Sequence, residues 1–353
     1  MKKIIISFTI IFLVAFLVAC KQTISYRMIF NYMGTETDIT IDVKNEDTGK
    51  AHREAINDIY KLYNDLSEYQ FPLAEDSLLL NNIYMINQRP EEHVEINIEL
   101  YEMLLEAERI KDLTDGYFDI SIGHIVSVWK SMTETYQYMD IPKEVFDQTM
   151  DDINDLEVIE NGISLWIESN RYYIEIKAGV KLDVGAIAKG YSTEIVKDYI
   201  EEQGITAYSI SGGSSSIQLG ENSGRDTGLF NVSLANPVRT SSINRTYGRI
   251  FVKNTGVTTS GNYIQYATYE GLRYHHIVSP KTKTPVHYYH TVTIIGDNLG
   301  LLDAISTALI SMPPEVFSQW LDTYQNELEI EIIRFNYDET ITTFLTDTLF
   351  EEI

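Results

Sequence analysis

Two stretches of this chain combine residue types that do chemistry. Lys181-Leu182-Asp183-Val184-Gly185-Ala186-Ile187-Ala188-Lys189-Gly190 reads as a strand that ends in a Gly-Ala turn and feeds a helix. Amides exposed at the start of a helix favour an anion such as phosphate, and Lys189 adds a positive charge one turn in. An ordinary strand-to-helix junction has the same appearance. The second stretch is Asp303-Ala304-Ile305-Ser306-Thr307. On a helix, Asp303 and Thr307 stand at i and i+4 and share a face. A carboxylate and a hydroxyl placed so can supply two hard oxygen ligands for Mg²⁺ or Ca²⁺. The plainer alternative is an Asp near a helix start and a Thr bonded back to the preceding turn. His287 and His290 lie three apart, but Pro285 and the intervening tyrosines suggest a turn or strand and disfavour a metal pair. The run from Gly185 to Gly190 lacks the spacing of a nucleoside-triphosphate loop. The sequence shows no HExxH, no EF-hand loop and no G-x-S-x-G elbow.

Composition narrows the classes. The chain has 353 residues with 52 acidic against 27 basic side chains, a formal net charge of −25. Such a surface repels phosphate polymers, so no nucleic-acid partner is expected. An anionic membrane would not attract it either. A hydrophobic content of 44% permits a sizeable core, in one large or two closely joined domains. A single cysteine rules out an intrachain disulfide and a cysteine-built zinc site.

Those two stretches need elements to hold them. After residue 32, MGTETDITIDV alternates as a strand does. Residues 50–68 and 97–112 have the apolar spacing of amphipathic helices, with LLLNNIYMINQRP linking them and Gly116 as a stop. Residues 134–160 are acidic and polar and read as an insertion or a solvated surface helix. ISLWIES, YYIEIKA and KLDV read as strands, followed by a helix over about 187–202. Strands recur through 205–294, helices are predicted over about 300–311 and 314–326, and residues 328–348 read as closing strands. The fold class is α+β, with no internal repeat and no clean domain cut.

Residues 1–20 are unlike the rest. Lys2 and Lys3 precede an apolar run that ends at Cys20. A basic start and a short apolar core read as a secretion signal, with a single membrane anchor as the alternative. Leu17-Val18-Ala19-Cys20 resembles the bacterial lipobox, in which the chain is cut before the cysteine and the cysteine is lipidated. That divides the chain into a signal peptide over 1–19, a lipidated tether over 20–32 and a domain over 33–353. Acyl chains on Cys20 would hold the globule at the extracytoplasmic face of the cell membrane.

Taken in order, MGT, GYFDIS, KLDVGAIAKGYS, SGG, TSGNYIQY, RYHHIVSPKT and DAISTAL resemble the ApbE family of flavin transferases, also described as flavin-trafficking lipoproteins. The resemblance runs from about Met33 to Met312. It implies mixed sheets with packed helices and an FAD cleft between two lobes. It also implies an FAD-cleaving, Mg²⁺-dependent enzyme. FMN would pass to a Thr or Ser hydroxyl of a partner protein, the flavin acceptor, and AMP would leave. The alternatives are hydrolysis of FAD to FMN and AMP, or flavin binding without catalysis. Without the resemblance, an acidic surface lipoprotein acting as adhesin or solute-binding module also stays open.

The resemblance implies roles residue by residue. Met33 would pack on the flavin, and Tyr117, Phe118 and Asp119 would lie along the dinucleotide. Asp183 and Lys189 would belong to the FAD site. Ala186 would offer its carbonyl to the metal, with Asp303 and Thr307 as its side-chain ligands. His276 would sit beside the reacting phosphate as the base for the acceptor hydroxyl, or would only orient the phosphate, and Ile277 would lie against the cofactor. Asp183 is the other candidate base, or else fixes the loop. Several positions depart from the family pattern. Ser279 stands where an acid precedes Pro280, and Lys283 stands where a glycine follows Thr282. Ser214 lacks the acidic or amide character found after the glycines, and His124 replaces a proline. Leu302 replaces a small residue, where its bulk would crowd a cation.

Overall fold

The computed structural model describes residues 23–213, 215–238 and 245–353. Cys20, its apolar leader and Ser214 lie outside the described residues. The centre is one antiparallel sheet of eight strands, ordered β1-β2-β6-β7-β10-β13-β14-β15. These strands are β1 (Ile24–Tyr32), β2 (Thr35–Val43), β6 (Tyr208–Gly212), β7 (Ser216–Leu219), β10 (Thr255–Gly261), β13 (Tyr289–Gly296), β14 (Glu331–Asn336) and β15 (Ile341–Phe344). Three smaller sheets flank it. They are β3-β5-β4 (Val94–Ile96, Arg171–Ile176, Ile163–Glu168), β16-β9-β8 (Leu349–Glu352, Thr246–Val252, Phe230–Ala235) and the ribbon β11-β12 (Tyr266–Tyr269, Leu272–His275).

Eight helices accompany them among the described residues: α1 (Glu46–Ser67), α2 (Ile83–Asn87), α3 (Ile98–Leu113), α4 (Gly123–Thr135), α5 (Lys143–Asn154), α6 (Ala188–Glu202), α7 (Leu299–Ile310) and α8 (Pro314–Tyr324). The key element is α7. Every residue of it except Thr307 is buried. A helix apolar on all sides belongs inside a protein, and α7 packs between β10, β13 and α6. Asp303 is therefore a carboxylate planted in a buried helix.

Several boundaries differ from the sequence reading. Residues 24–32 are an edge strand, not a tether. They pair with β2 from Ile24↔Val43 to Tyr32↔Thr35 and bury Met28 and Phe30. The segment KLDV is not a strand beyond one bridge, Ile122↔Lys181. The Asn87 side chain bonds both the amide and the carbonyl of Leu182 (2.7 and 3.0 Å), and the Asp183 amide donates to the Ile120 carbonyl, so no strand partner is needed. α1 begins four residues earlier than its apolar spacing suggests, because the Asn45 side chain accepts from the Thr48 amide. α4 had no counterpart in the sequence reading, although Ile125, Trp129 and Met132 bury one face of it at helical spacing. The 134–160 region contributes α5, an amphipathic helix with Thr149 and Ile153 buried.

The C-terminal segment is held by one carboxylate. Glu331 accepts hydrogen bonds from the amides of Thr346, Asp347 and Thr348 and from the Thr346 hydroxyl. Burial alone would raise its pKa. The Thr346 and Thr348 donors, with the Asp347 amide, outweigh that and bring it from 4.5 to about 2. A depressed carboxylate stabilises the fold above its unfolded pKa and stops doing so as pH falls through the folded one. Acid unfolding should therefore draw on Glu331 between about pH 4.5 and 2. Glu331→Gln should cost about 2 kcal/mol at neutral pH. It should also flatten the stability profile in that window, measured by urea melts at several pH values.

Candidate functional site

The two stretches flagged by their residue types meet in space. α6 begins at Ala188 and lies across α7, and the contact is tight because residue 190 is glycine. A methyl group there would come within 2.7 Å of both Asp303 Cβ and the Leu299 carbonyl. The start of α7 is fixed from the α6 side by Glu194, whose carboxylate accepts from the Leu299 amide at 2.8 Å and pairs with Lys197. Gly190→Ala should force these helices apart, at about 1–3 kcal/mol of stability. Its melting temperature should fall and its Asp303 geometry should change together.

Asp303 is held chiefly through one oxygen. Ser216 on β7 and Thr258 on β10, paired across the strands, each donate a hydroxyl to Oδ1 at 3.1 Å. Oδ2 is buried and meets no donor in hydrogen-bond geometry. Burial pushes the carboxyl up from its ordinary value, while the Lys189 charge, the Thr258 and Ser216 hydroxyls and the Gly190 amide act against the rise. One turn on, Thr307 is half-buried, donates to the Asp303 carbonyl at 3.2 Å and lies 3.4 Å from the Ser260 hydroxyl. The Ala186 carbonyl accepts no hydrogen bond among the described residues. A buried oxygen without a hydrogen bond, a hydroxyl one turn away and an open carbonyl four residues before Gly190 suit a divalent cation. Among the described residues no cage of three or more His, Cys, Asp or Glu side chains forms. So sparse a set of oxygen donors fits a cation that keeps several waters, as Mg²⁺ does.

A second group gathers around His276. Its Nδ1 is buried and has no partner. Burial, then the nearby Lys189 charge, hold its pKa down to about 4, so the ring is neutral at pH 7. A hydrogen bond with the Gln265 backbone and the Asp183 charge act against that fall, and Lys130 adds to it. Asp183 is half-buried, and its Oδ1 accepts from the Gly185 amide at 2.8 Å, which shapes the corner before α6. Lys189 thus stands in the field of both Asp303 and His276 and ties the two groups together. The neighbouring His275 is a satisfied core residue, with Nε2 at the Val286 carbonyl and Nδ1 accepting from the Ile277 amide.

The remaining residues flagged by resemblance occupy varied settings. Met33 and Gly34 form the two-residue turn between β1 and β2, both with positive φ (51° and 67°). That is the conformation of a tight hairpin turn, unusual for methionine, and the Met33 amide is held by Asn64 Oδ1 at 2.8 Å. Met33, Tyr117 and Ala186 are half-buried at the margin of one core cluster, whose buried members include Phe118 and Ile277. The Tyr117 ring faces the Lys281 ammonium at 5.4 Å. Asp119 has both carboxylate oxygens engaged within the protein, with Lys111 at 2.9 Å and the Ser121 amide at 2.8 Å. Each of its carboxylate oxygens takes one of these partners, and together they shape the loop.

The departures are accommodated. Lys283 takes the left-handed conformation (φ 61°) that a glycine would adopt, so the turn survives. Its ammonium caps the end of α5 by donating to the carbonyls of Ile153, Asn154 and Leu156. Leu302 is directed into the core, against Gly296 at the end of β13, so its bulk does not crowd Asp303. His124 reaches the Glu157 carbonyl at 2.9 Å. Ser279 is buried with its hydroxyl unpartnered.

Ser216, Thr258, Glu194 and Lys130 were absent from the sequence reading, and Gly190 entered it only as the last residue of the first stretch. Only the hydroxyl-rich run Thr258-Thr259-Ser260 in a strand hinted at a polar interior.

Comparison with known proteins completes the description. The ApbE family model matches residues 33–332. The chain is 28% identical over 222 residues to an FAD:protein FMN transferase of Vibrio cholerae, covering 62% of this chain and 63% of that protein. It is 27% identical over 210 residues to one of Escherichia coli K12, covering 59% and 57%. The chain thus spans about three-fifths of the length of these relatives. Among solved structures, the ApbE protein of Thermotoga maritima superposes with a TM-score of 0.72 at 23% identity, covering 91% of this chain and 97% of that one. The flavin transferase ApbE of Vibrio cholerae gives 0.69 at 23%, covering 92% and 98%. These likenesses establish the fold.

Proposed function

This chain belongs to the ApbE family, and from that premise we infer that it transfers the FMN half of FAD to a hydroxyl of a partner protein and releases AMP. The observation that carries this reading is the junction at Gly190. It sets a buried carboxylate with an oxygen left without a hydrogen bond against the start of α6, with the Lys189 charge acting both on that carboxylate and on a neutral histidine whose Nδ1 has no partner.

On this reading Asp303, Thr307 and the Ala186 carbonyl hold Mg²⁺. When bound, the cation supplies charge that offsets the diphosphate and favours departure of the AMP phosphate. The protein's own residues do the rest. Ser216 and Thr258 fix Oδ1 and so aim Oδ2. Lys189 holds the diphosphate anion, and the α6 amides complement its charge. His276 takes the proton from the acceptor hydroxyl on Nδ1. The arriving anion offsets the cationic field that helps depress His276, and its pKa rises toward the range of an effective base. Asp183 keeps the corner in shape. Met33 and Tyr117 supply an apolar and aromatic slot for the flavin.

The acceptor is a Ser or Thr hydroxyl of an extracytoplasmic protein, reached by an enzyme anchored through a lipid on Cys20. Among the described residues no helix is long and apolar enough to cross a membrane. The decisive experiment incubates the purified full chain with FAD, Mg²⁺ and a Ser/Thr acceptor protein. A fluorescent acceptor band, with AMP released, is expected. Free FMN with an unlabelled acceptor would mean hydrolysis instead. FAD bound and unchanged would overturn the enzymatic reading.

A further inference from the structure

Around Thr307, three hydroxyls share four contacts. Ser260, near the end of β10, lies 2.8 Å from Ser306 and 3.4 Å from Thr307, oxygen to oxygen. Ser306 lies 2.9 Å and Thr307 3.2 Å from the Asp303 carbonyl, one turn back on α7. Each hydroxyl has one proton to give, and a carbonyl has none. The two contacts that end on the carbonyl therefore take the protons of Ser306 and Thr307. Only the Ser260 proton is left for the other two, and it goes to the shorter, toward Ser306.

The direction of one dipole follows. With its proton on Ser306, Ser260 turns a lone pair toward Thr307, and the Thr307 oxygen receives no hydrogen bond from it. Thr307 is the residue of α7 that is not buried, so its oxygen is the part of this network that an incoming cation can reach. Were the Ser260 proton aimed at Thr307 instead, a partial positive charge would lie against the oxygen the cation must use. A serine at 306 is otherwise a costly choice. It is fully buried between alanines at 304 and 308, and alanine is the better helix former. Its bond back to its own helix does not stabilise that helix. What it provides is an acceptor for the Ser260 proton.

We propose that Ser306 is a positioning residue for the cation site: by drawing the Ser260 proton to itself it keeps the Thr307 oxygen open to a divalent cation. The proposal rests on the reading that Asp303 and Thr307 hold Mg²⁺. Ser306 acts there only through Ser260 and Thr307.

The test titrates Mg²⁺ into four versions of the full chain: the parent, Ser306→Ala, Ser260→Ala and the double variant. The midpoint of the Mg²⁺-dependent rise in melting temperature is read, alongside the melting temperature without metal. In Ser306→Ala the Ser260 proton has only Thr307 to go to, and the midpoint should rise about ten-fold. In Ser260→Ala that proton is gone, so the midpoint should stay within about three-fold of the parent, and the double variant should return to the same range. Affinity restored by removing a second hydroxyl has no explanation in lost packing, whatever happens to metal-free stability. An unchanged midpoint in Ser306→Ala overturns the proposal. So does a double variant no better than Ser306→Ala, and so does a loss in Ser260→Ala as large as in Ser306→Ala. A parent that melts at the same temperature with and without Mg²⁺ would overturn the cation reading, and the proposal with it.

Discussion

Asp303→Asn is expected to abolish metal-dependent FMN transfer, by about 10³-fold or more, while leaving the protein folded. The magnitude follows from removing a cation that stabilises several kcal/mol of charge in the transition state. The fold should tolerate the change, because the carboxylate is buried and half satisfied in the free protein. Replacing it removes a desolvated acid and leaves Ser216 and Thr258 an acceptor in the amide oxygen. Two measurements check this together. The metal-free variant should melt no lower than the parent, and the rise in melting temperature that Mg²⁺ gives the parent should vanish. Turnover within ten-fold of the parent, or an undiminished Mg²⁺ shift, would remove Asp303 from the metal site.

The second large effect is at the histidine. His276→Gln should slow transfer by about 10²–10⁴-fold, the usual contribution of a positioned general base. FAD binding should change by less than three-fold, since the ring is neutral before substrate arrives and contributes no charge. A loss of binding in step with the rate would instead mean that His276 only orients the phosphate. His275→Gln is the useful contrast. That ring is bonded on both nitrogens inside the core, so its replacement should lower stability rather than act on transfer alone.

Part of this site was legible from residue types. Asp303 and Thr307 share a helix face by spacing alone, and Lys189 follows a glycine-bearing turn. That the two segments touch was not legible, because the contact depends on a missing side chain at Gly190 and on the Glu194 carboxylate at the start of α7. The hydroxyls that aim Asp303 come from strands 45 and 87 residues away in sequence. His276 entered only through family resemblance. Its neutral state arises from burial and from Lys189, neither visible in the sequence. Among the elements, α3 was read to within one residue at each end, whereas β1, close behind Cys20, read as a tether although Tyr26, Met28, Phe30 and Tyr32 alternate along it. KLDV looked like a strand because Leu182 and Val184 alternate. Its backbone groups are instead satisfied by Asn87 and Ile120. Lys283, a departure on paper, preserves its turn by adopting the glycine conformation and gains a helix to cap.

The early start of β1 has a consequence for where the proposed transfer can take place. Ordered pairing begins at Ile24, so only Lys21, Gln22 and Thr23 separate Cys20 from the edge of the main sheet. Even fully stretched, that leash is about 14 Å long. Lipidated as proposed, the globule would ride directly on the lipid headgroups with one sheet edge turned toward them and little freedom to swing. A client domain on a long stalk would be out of range. Clients would have to be neighbours in the same bilayer, presenting their hydroxyl close to its surface.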